Sequence, residues 1–178
     1  QTPLITMLRK RSGWLAFLFI CGFFSCEALR HYEETLSKWA HLMFFIPIIT
    51  SAGGNSGTQA ASLIIRSLSL KEVSLKDVWR VLEREIVVGL VLGVVLAAIG
   101  FGRAATWGVG NLAGMIVALS VLSVVVFGVL VGSMLPFIFQ KIKWDPAVVS
   151  SPFISTILDV MGIVIYLNMA LFLMKTFA

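Results

Sequence analysis

Charge is scarce in this chain, and so are cysteine and histidine. Lysine, arginine, aspartate and glutamate make up 13% of the residues, there are two cysteines and two histidines, and 58% of the residues are hydrophobic. A soluble domain has about 25% charged residues, so the composition excludes one and indicates an integral membrane protein. Cys21 and Cys26 would point about 140° apart on a helix, so we expect no disulfide between them and predict that both are buried.

Five apolar segments are each close to the roughly 20 residues that span a bilayer. They predict an all-α membrane protein of one transmembrane domain over residues 1–178, with spans at 13–29, 44–65, 86–105, 112–139 and 146–175. Pro136 is expected to kink or end the fourth helix. Rows of small residues are expected to let neighbouring helices approach closely; they are Gly89, Gly93 and Ala97 in the third span and Gly128 and Gly132 in the fourth.

The basic residues of the connections predict the orientation. With the N-terminus in the cytoplasm, ten of the fourteen lysines and arginines lie inside, where such residues are retained. We therefore predict a multi-pass protein of the cell membrane with an external C-terminus. This topology and the anionic inner-leaflet lipid explain the net charge of +5, so nucleic acid is not expected as a partner.

Two connections are predicted to have structural roles. In the longer one, Ser74 and Asp77 fit a capping box that begins a helix leading into the third span. The external connection, between residues 27 and 41, has charges of both signs without the spacing of metal ligands. We expect it to be solvated and paired within itself.

The second span is unusually polar for a membrane helix. Its segment 47–59 contains three glycines, an asparagine, a glutamine and four hydroxyl residues. At helical spacing the polar side chains form one stripe that leads to the cytoplasmic end; it comprises Ser51, Asn55, Gln59, Ser62 and Arg66. The glycines either bring backbones together or expose carbonyls to a cavity. A phosphate-binding loop is excluded, because no Gly-Lys-Ser/Thr follows.

Asp159 is a lone carboxylate within the fifth span, where a charge costs about 2.5 to 3.5 kcal/mol. It lies about 20 Å along the helix from Pro146, a depth similar to that of Asn55. Oxygen ligands at one depth suit Mg²⁺ or Ca²⁺ better than zinc or copper. The alternative is a carboxyl that ties helices together by a hydrogen bond to Asn55 or Gln59. The predicted polar face of this span comprises Ser151, Ser155, Asp159, Gly162 and Tyr166.

Three segments resemble the transmembrane domain of the MgtE magnesium channel family. They are 47–59 with its Gly-Gly-Asn-Ser-Gly-Thr-Gln core, Asp145-Pro146-Ala147, and Leu158-Asp159-Val160-Met161-Gly162. The resemblance covers nearly the whole chain and implies a homodimer whose pore lies on the two-fold axis, lined by the second and fifth helices. The cytoplasmic N domain and paired CBS domains of typical members are missing from this sequence, so we do not expect it to sense internal Mg²⁺ through them.

The resemblance implies an ion channel, not an enzyme, that conducts and binds Mg²⁺, with Mn²⁺, Co²⁺ and Ca²⁺ as further candidates. It implies metal-binding roles for Asp159 in the central pore and Asp145 at the cytoplasmic mouth. The implied pore and selectivity residues are Asn55, Gly54, Ser56, Gly57, Gln59, Ser155 and Gly162. The alternative is a proton- or sodium-coupled exporter with Asp159 as carrier. Two further alternatives fit the sequence less well. An intramembrane aspartyl protease needs a second aspartate within the membrane, and only Asp159 is predicted to lie there. A structural subunit would not need polar faces at matched depth.

Overall fold

The computed structural model describes residues 4–144 and 151–177, which fold as helices with no strand among them. The helices are α1 (Leu4–His31), α2 (Glu33–Lys38), α3 (Ile46–Ser69), α4 (Val78–Thr106), α5 (Asn111–Lys141) and α6 (Ser151–Phe177), with 3-10 turns at Ala40–Phe45 and Leu75–Asp77. The predicted all-α class is confirmed. Each predicted span overlaps one long helix, and residues 146–150 of the fifth lie outside the described residues.

Four of the five long helices, α1, α4, α5 and α6, are long and apolar enough to cross a membrane. The fifth, α3, is less apolar because it contains the polar stripe and the glycines. It is nevertheless 24 residues long, or about 36 Å, and packs along α5 and α6. The chain is therefore a membrane protein, and the crossing of the membrane by α3 stays a prediction.

Glycines bring the backbones of α3 and α5 into contact. A Cβ at Gly128 would lie 2.6 Å from the carbonyl oxygen of Gly53, and a Cβ at Gly57 would lie 2.8 Å from that of Gly128. A Cβ at Gly132 would overlap the carbonyl oxygen of Gly57. The close approach predicted for the fourth span is confirmed, and its partner is the glycine-rich segment of α3.

The glycines of α4 make a similar contact on another side of α5. A Cβ at Gly93 would lie 3.3 Å from the Cα atom of Leu122, and one at Gly89 would lie 3.4 Å from that of Val126. The central helix α5 is thus held between α3 and α4 at backbone distance. Small residues allow this because packing replaces the hydrophobic effect between helices in lipid.

The structure corrects two sequence expectations. Of the two effects expected of Pro136, the end of the helix is wrong, because α5 continues through it to Lys141, and a kink stays a prediction; neighbouring helices in a membrane bundle compensate for the backbone donor that proline lacks. Cys26 is exposed rather than buried, and Cys21 is partly buried, both as free thiols. The reason is the position of α1, which packs mainly on α6 and leaves most of its surface open.

The segment predicted as the external connection, residues 27–41, is paired within itself, as predicted, and includes the end of α1. Lys38 Nζ donates a hydrogen bond of 2.7 Å to Glu34 Oε1, and Arg30 lies 4.0 Å from Glu27. All four side chains are well exposed, so each pair contributes little to stability. The hydrogen bond from Lys38 holds the pKa of Glu34 below its ordinary value.

The capping box before α4 is confirmed. The backbone N–H of Ser74 donates to Asp77 Oδ2 at 2.9 Å, and the Ser74 hydroxyl also donates to this oxygen. The first turns of α4 then place Val78 and Val81 against a small apolar cluster around Phe137. The start of α4 is thus attached to the ends of its neighbours.

A hydrogen bond of Tyr166 joins α6 to the 3-10 turn Ala40–Phe45, which precedes α3. The Tyr166 side chain is fully buried, and its hydroxyl donates to the carbonyl oxygen of Leu42 at 2.9 Å. We expect Tyr166→Phe to lower the free energy of unfolding by about 1 kcal/mol, because it leaves a buried carbonyl without its donor. Thermal unfolding of the detergent-purified protein measures this loss.

Tyr32→Phe is the matched control. The Tyr32 hydroxyl accepts from Asn168 Nδ2 at 2.7 Å, but the same amide also donates to the carbonyl oxygen of Val164 at 2.8 Å. Removal of the Tyr32 hydroxyl should therefore lower the free energy of unfolding by less than removal of the Tyr166 hydroxyl. The opposite ranking of the two variants would contradict the assigned role of Tyr166.

Candidate functional site

The two helices that carry the predicted polar faces, α3 and α6, pack against each other through small residues. A Cβ at Gly54 would lie 3.4 Å from Ser155 Oγ, and one at Gly162 would lie 3.3 Å from Thr50 Cγ2. The two contacts follow opposite orders along the two helices, so α3 and α6 are antiparallel. Larger side chains at either glycine would push the helices apart.

This register fixes the level of Asp159 relative to α3. Asp159 lies between Ser155 and Gly162 on α6, and therefore beside residues 50–54 of α3. Asn55 follows directly after that segment, so the carboxylate and the amide lie within about one helical turn of the same level. The similar depth predicted for Asp159 and Asn55 from their positions in the two spans thus also holds in the packed pair of helices.

The polar stripe of α3 lies on its exposed face. All five members are exposed in the isolated chain: Ser51, Asn55, Gln59, Ser62 and Arg66. Asn55 Nδ2 donates to Ser51 Oγ at 3.2 Å, within the stripe itself. Exposed amides and hydroxyls are expensive against hydrocarbon, so this face requires water or another protein surface.

Asp159 is also exposed, although it lies on one of the most apolar helices. Within the part of the chain that the structure describes, no hydrogen bond joins it to Asn55 or Gln59 and no salt bridge involves it. The carboxylate is therefore available to a cation. The described residues include no group of three or more histidines, cysteines or acids that could hold a metal ion.

A single chain therefore offers one carboxylate and a few neutral oxygens at this level. Mg²⁺ requires six oxygen ligands in near-octahedral geometry and gives up its waters reluctantly. An ion at Asp159 would keep most of its water or would be shared with ligands from a second chain. Either arrangement suits transient binding better than tight storage.

The remaining predicted pore residues lie mainly at contacts between helices. Gly54, Ser56, Gly57 and Gly162 are buried, Ser155 is half-buried beside Gly54, and Asp145 lies outside the described residues. Ser56 Oγ donates back to the carbonyl oxygen of Ala52, and a Cβ at Gly57 would meet the side chain of Leu158 at 2.6 Å. These placements hold α3 close to α5 and α6, leaving Asn55 and Gln59 exposed.

The polar face of α6 is only partly exposed, and one polar residue of this helix has no role in the sequence interpretation. Tyr166, predicted on the face of Asp159, is instead buried in the core. Asn168 connects α6 to the turn between α1 and α2 through the hydroxyl of Tyr32. An amide inside an apolar span was the signal that could have found it.

Comparisons with known proteins show the family to which this chain is similar. The family model MgtE, described as a divalent cation transporter, matches residues 46–169. The magnesium transporter MgtE of Thermus thermophilus is 38% identical over 171 residues, which are 96% of this chain and 38% of that protein. The proteins of the same name from Bacillus subtilis and Enterococcus faecalis are each 32% identical, over 90% and 94% of this chain and 36% and 37% of their own lengths. The chain thus spans less than two fifths of these curated relatives.

Proposed function

Because this chain belongs to the MgtE family of divalent cation transporters, we propose that it conducts Mg²⁺ across the cell membrane as the channel domain of a homodimer. The observation that carries the proposal is the exposed carboxylate of Asp159 on an apolar helix, about one turn in level from Asn55 on α3. Relatives named as magnesium transporters point to Mg²⁺ as the ion.

The need to cover the polar faces supports a second copy. Asp159 and the stripe of α3 are exposed in one chain, on a bundle whose other surfaces are largely apolar. A two-fold axis beside α3 and α6 would place the α3 stripe of one copy opposite that of the other, and likewise the two Asp159 carboxylates, as in an isologous interface. The polar groups of both copies would then enclose one aqueous path, with lipid outside.

In this arrangement the proposed pore binds the ion reversibly. Two Asp159 carboxylates attract a divalent cation, and the Asn55 amide oxygens with nearby hydroxyl oxygens accept hydrogen bonds from its water shell. Conduction requires binding that is strong enough for the ion to enter and weak enough for it to leave. An inside-negative potential of 100 mV contributes about 4.6 kcal/mol to the inward movement of a doubly charged ion.

Flux measurements in liposomes test the proposed function. The purified chain is reconstituted with a Mg²⁺-sensitive dye inside, and a potassium diffusion potential is applied with no proton or sodium gradient. We expect Mg²⁺ entry that rises with an inside-negative potential. Flux that requires a proton or sodium gradient would support the coupled exporter instead, and no flux of any divalent ion would contradict transport by this chain alone.

Cross-linking tests the second copy. In a protein with Cys21 and Cys26 replaced by serine, we expect Asn55→Cys to give a covalent dimer with a short bifunctional thiol reagent. The control is Val91→Cys, because Val91 is 61% exposed on the apolar surface of α4. Equal cross-linking of both variants, or of neither, would contradict an interface at the α3 stripe.

A further inference from the structure

A cavity of about 560 Å³ opens between α3 and α4, at the end of the bundle where α3 ends and α4 begins. Both helices pack closely on α5 but make few contacts with each other, so they leave a cleft with Val129 of α5 in its wall. We call it the α3–α4 cleft. Its volume lies within the range of about 300 to 1,000 Å³ that is typical of ligand sites.

The lining of the α3–α4 cleft changes from charged to apolar along its length. Away from the charged residues its wall is formed mainly by aliphatic side chains, among them Leu63, Ile64, Val88 and Leu92, together with Ser56 and Gln59. Its mouth has charged side chains of both signs, which are Glu72, Asp77, Arg80, Arg84 and Glu85. The distance from Arg80 to Leu92 along α4 is about 18 Å. This gradient matches an amphiphile with a polar head and an aliphatic chain.

The two arginines at the mouth are available to a ligand. Arg80 and Arg84 are one helical turn apart on α4, both exposed, and neither takes part in a salt bridge with any residue in the described ranges. Two guanidinium groups at this spacing suit a phosphate group, to which arginine donates paired hydrogen bonds.

The carboxylates at the mouth suit a positively charged group. Glu72 accepts one hydrogen bond from Ser67 at 3.2 Å, and Asp77 is bound by Ser74, so lone pairs remain on both. Three carboxylates and two arginines give the lining a formal charge of −1, which does not favour an anionic headgroup. A headgroup with a phosphate and a primary ammonium complements both signs.

We propose that the α3–α4 cleft binds a phosphatidylethanolamine molecule from the adjacent leaflet. Its phosphate lies at Arg80 and Arg84, its ammonium at the carboxylates of the mouth, and one acyl chain along Leu63 and Val88. Lipid binding at this site does not depend on conduction. The cleft nevertheless borders the proposed ion path, because its lining includes Ser56 and Gln59 of α3, which the family resemblance implies as pore residues.

Lipid titration of the delipidated chain in detergent tests this site. Phosphatidylethanolamine, phosphatidylcholine and phosphatidylglycerol with identical acyl chains are added separately, and the thermal unfolding midpoint and the bound mass by native mass spectrometry are followed. We expect one phosphatidylethanolamine per chain and a larger rise in the midpoint than with the other two lipids, since a ligand stabilises the state that binds it.

Two variants test the two parts of the site. We expect Arg80→Gln with Arg84→Gln to weaken phosphatidylethanolamine binding about tenfold, through loss of two charge-assisted contacts. Val88→Phe should narrow the cleft and weaken all three lipids. The control is Arg9→Gln with Arg11→Gln, which removes the same charge from exposed positions on α1, and it should bind as the parent does.

Several results would overturn the lipid site. They are equal binding of the three headgroups, unchanged affinity in the double arginine variant, or equal protection by inorganic phosphate alone. If the double variant does not elute as a folded protein, Arg84→Gln alone is compared with Arg11→Gln. A phosphatidylethanolamine affinity equal in those two single variants would likewise overturn the proposal.

Discussion

Asp159→Asn is expected to lower Mg²⁺ flux through the reconstituted protein by about tenfold or more. The change keeps the shape of the side chain and removes the charge that draws a divalent cation into an apolar region. Tenfold corresponds to about 1.4 kcal/mol, which is less than the roughly 2.5 to 3.5 kcal/mol that a membrane charge costs and that a bound cation would offset. The measurement is the initial rate of dye response in liposomes at a fixed potential.

Glu33→Gln is the matched control, because it removes a carboxylate from an exposed position in the connection between α1 and α3. Its flux should equal that of the parent. Asp159→Glu should retain part of the flux, since it keeps the charge while moving the oxygens by one methylene. Full conduction by Asp159→Asn, in protein that folds and reconstitutes like the parent, would remove Asp159 from the ion path.

Gly132→Ala is expected to destabilise the protein by about 1 to 3 kcal/mol, the range for overpacking a tight contact. Its new methyl group would overlap the carbonyl oxygen of Gly57, which is backbone and cannot rotate away. The helices α3 and α5 would have to separate along the row that also contains Gly53 and Gly128. Thermal unfolding in detergent measures the loss, and Mg²⁺ flux should fall with it because α3 carries the polar stripe.

Gly102→Ala makes the same chemical change in another helix and serves as the control. A Cβ at Gly102 would meet nothing within 4 Å, so only helix propensity changes. Alanine is better than glycine inside a helix by about 1 kcal/mol, so this variant should unfold at the parent midpoint or above it. If both variants unfold alike, α3 and α5 are not in backbone contact at Gly132.

Some features of the site were predictable because their causes are local. The stripe of α3 follows from the spacing of Ser51, Asn55 and Gln59 on a helix, and the capping box follows from two residues three positions apart. The continuation of α5 through Pro136 and the exposure of Cys26 have tertiary causes. Whether a proline ends a membrane helix, or a cysteine is buried, depends on which neighbours pack against it.

The glycines also separate what local sequence predicts from what tertiary packing decides. Their number in segment 47–59 predicts a close approach of some backbone, but no local pattern says which helix approaches. Only the packed bundle pairs Gly53 and Gly57 with α5 and Gly54 with Ser155 of α6. That choice leaves Asn55 and Gln59 on the exposed face.

The amino-acid sequence by itself determined the helical class, the apolar segments, the polar stripe and the presence of one charge at membrane depth. These properties depend on hydropathy and on helical periodicity, which act over a few neighbouring residues. The tertiary structure alone decided the register of Asp159 with α3, the burial of Tyr166 and the opening of the α3–α4 cleft. Each of these depends on contacts between residues far apart in the chain, for which a single sequence has no local signal.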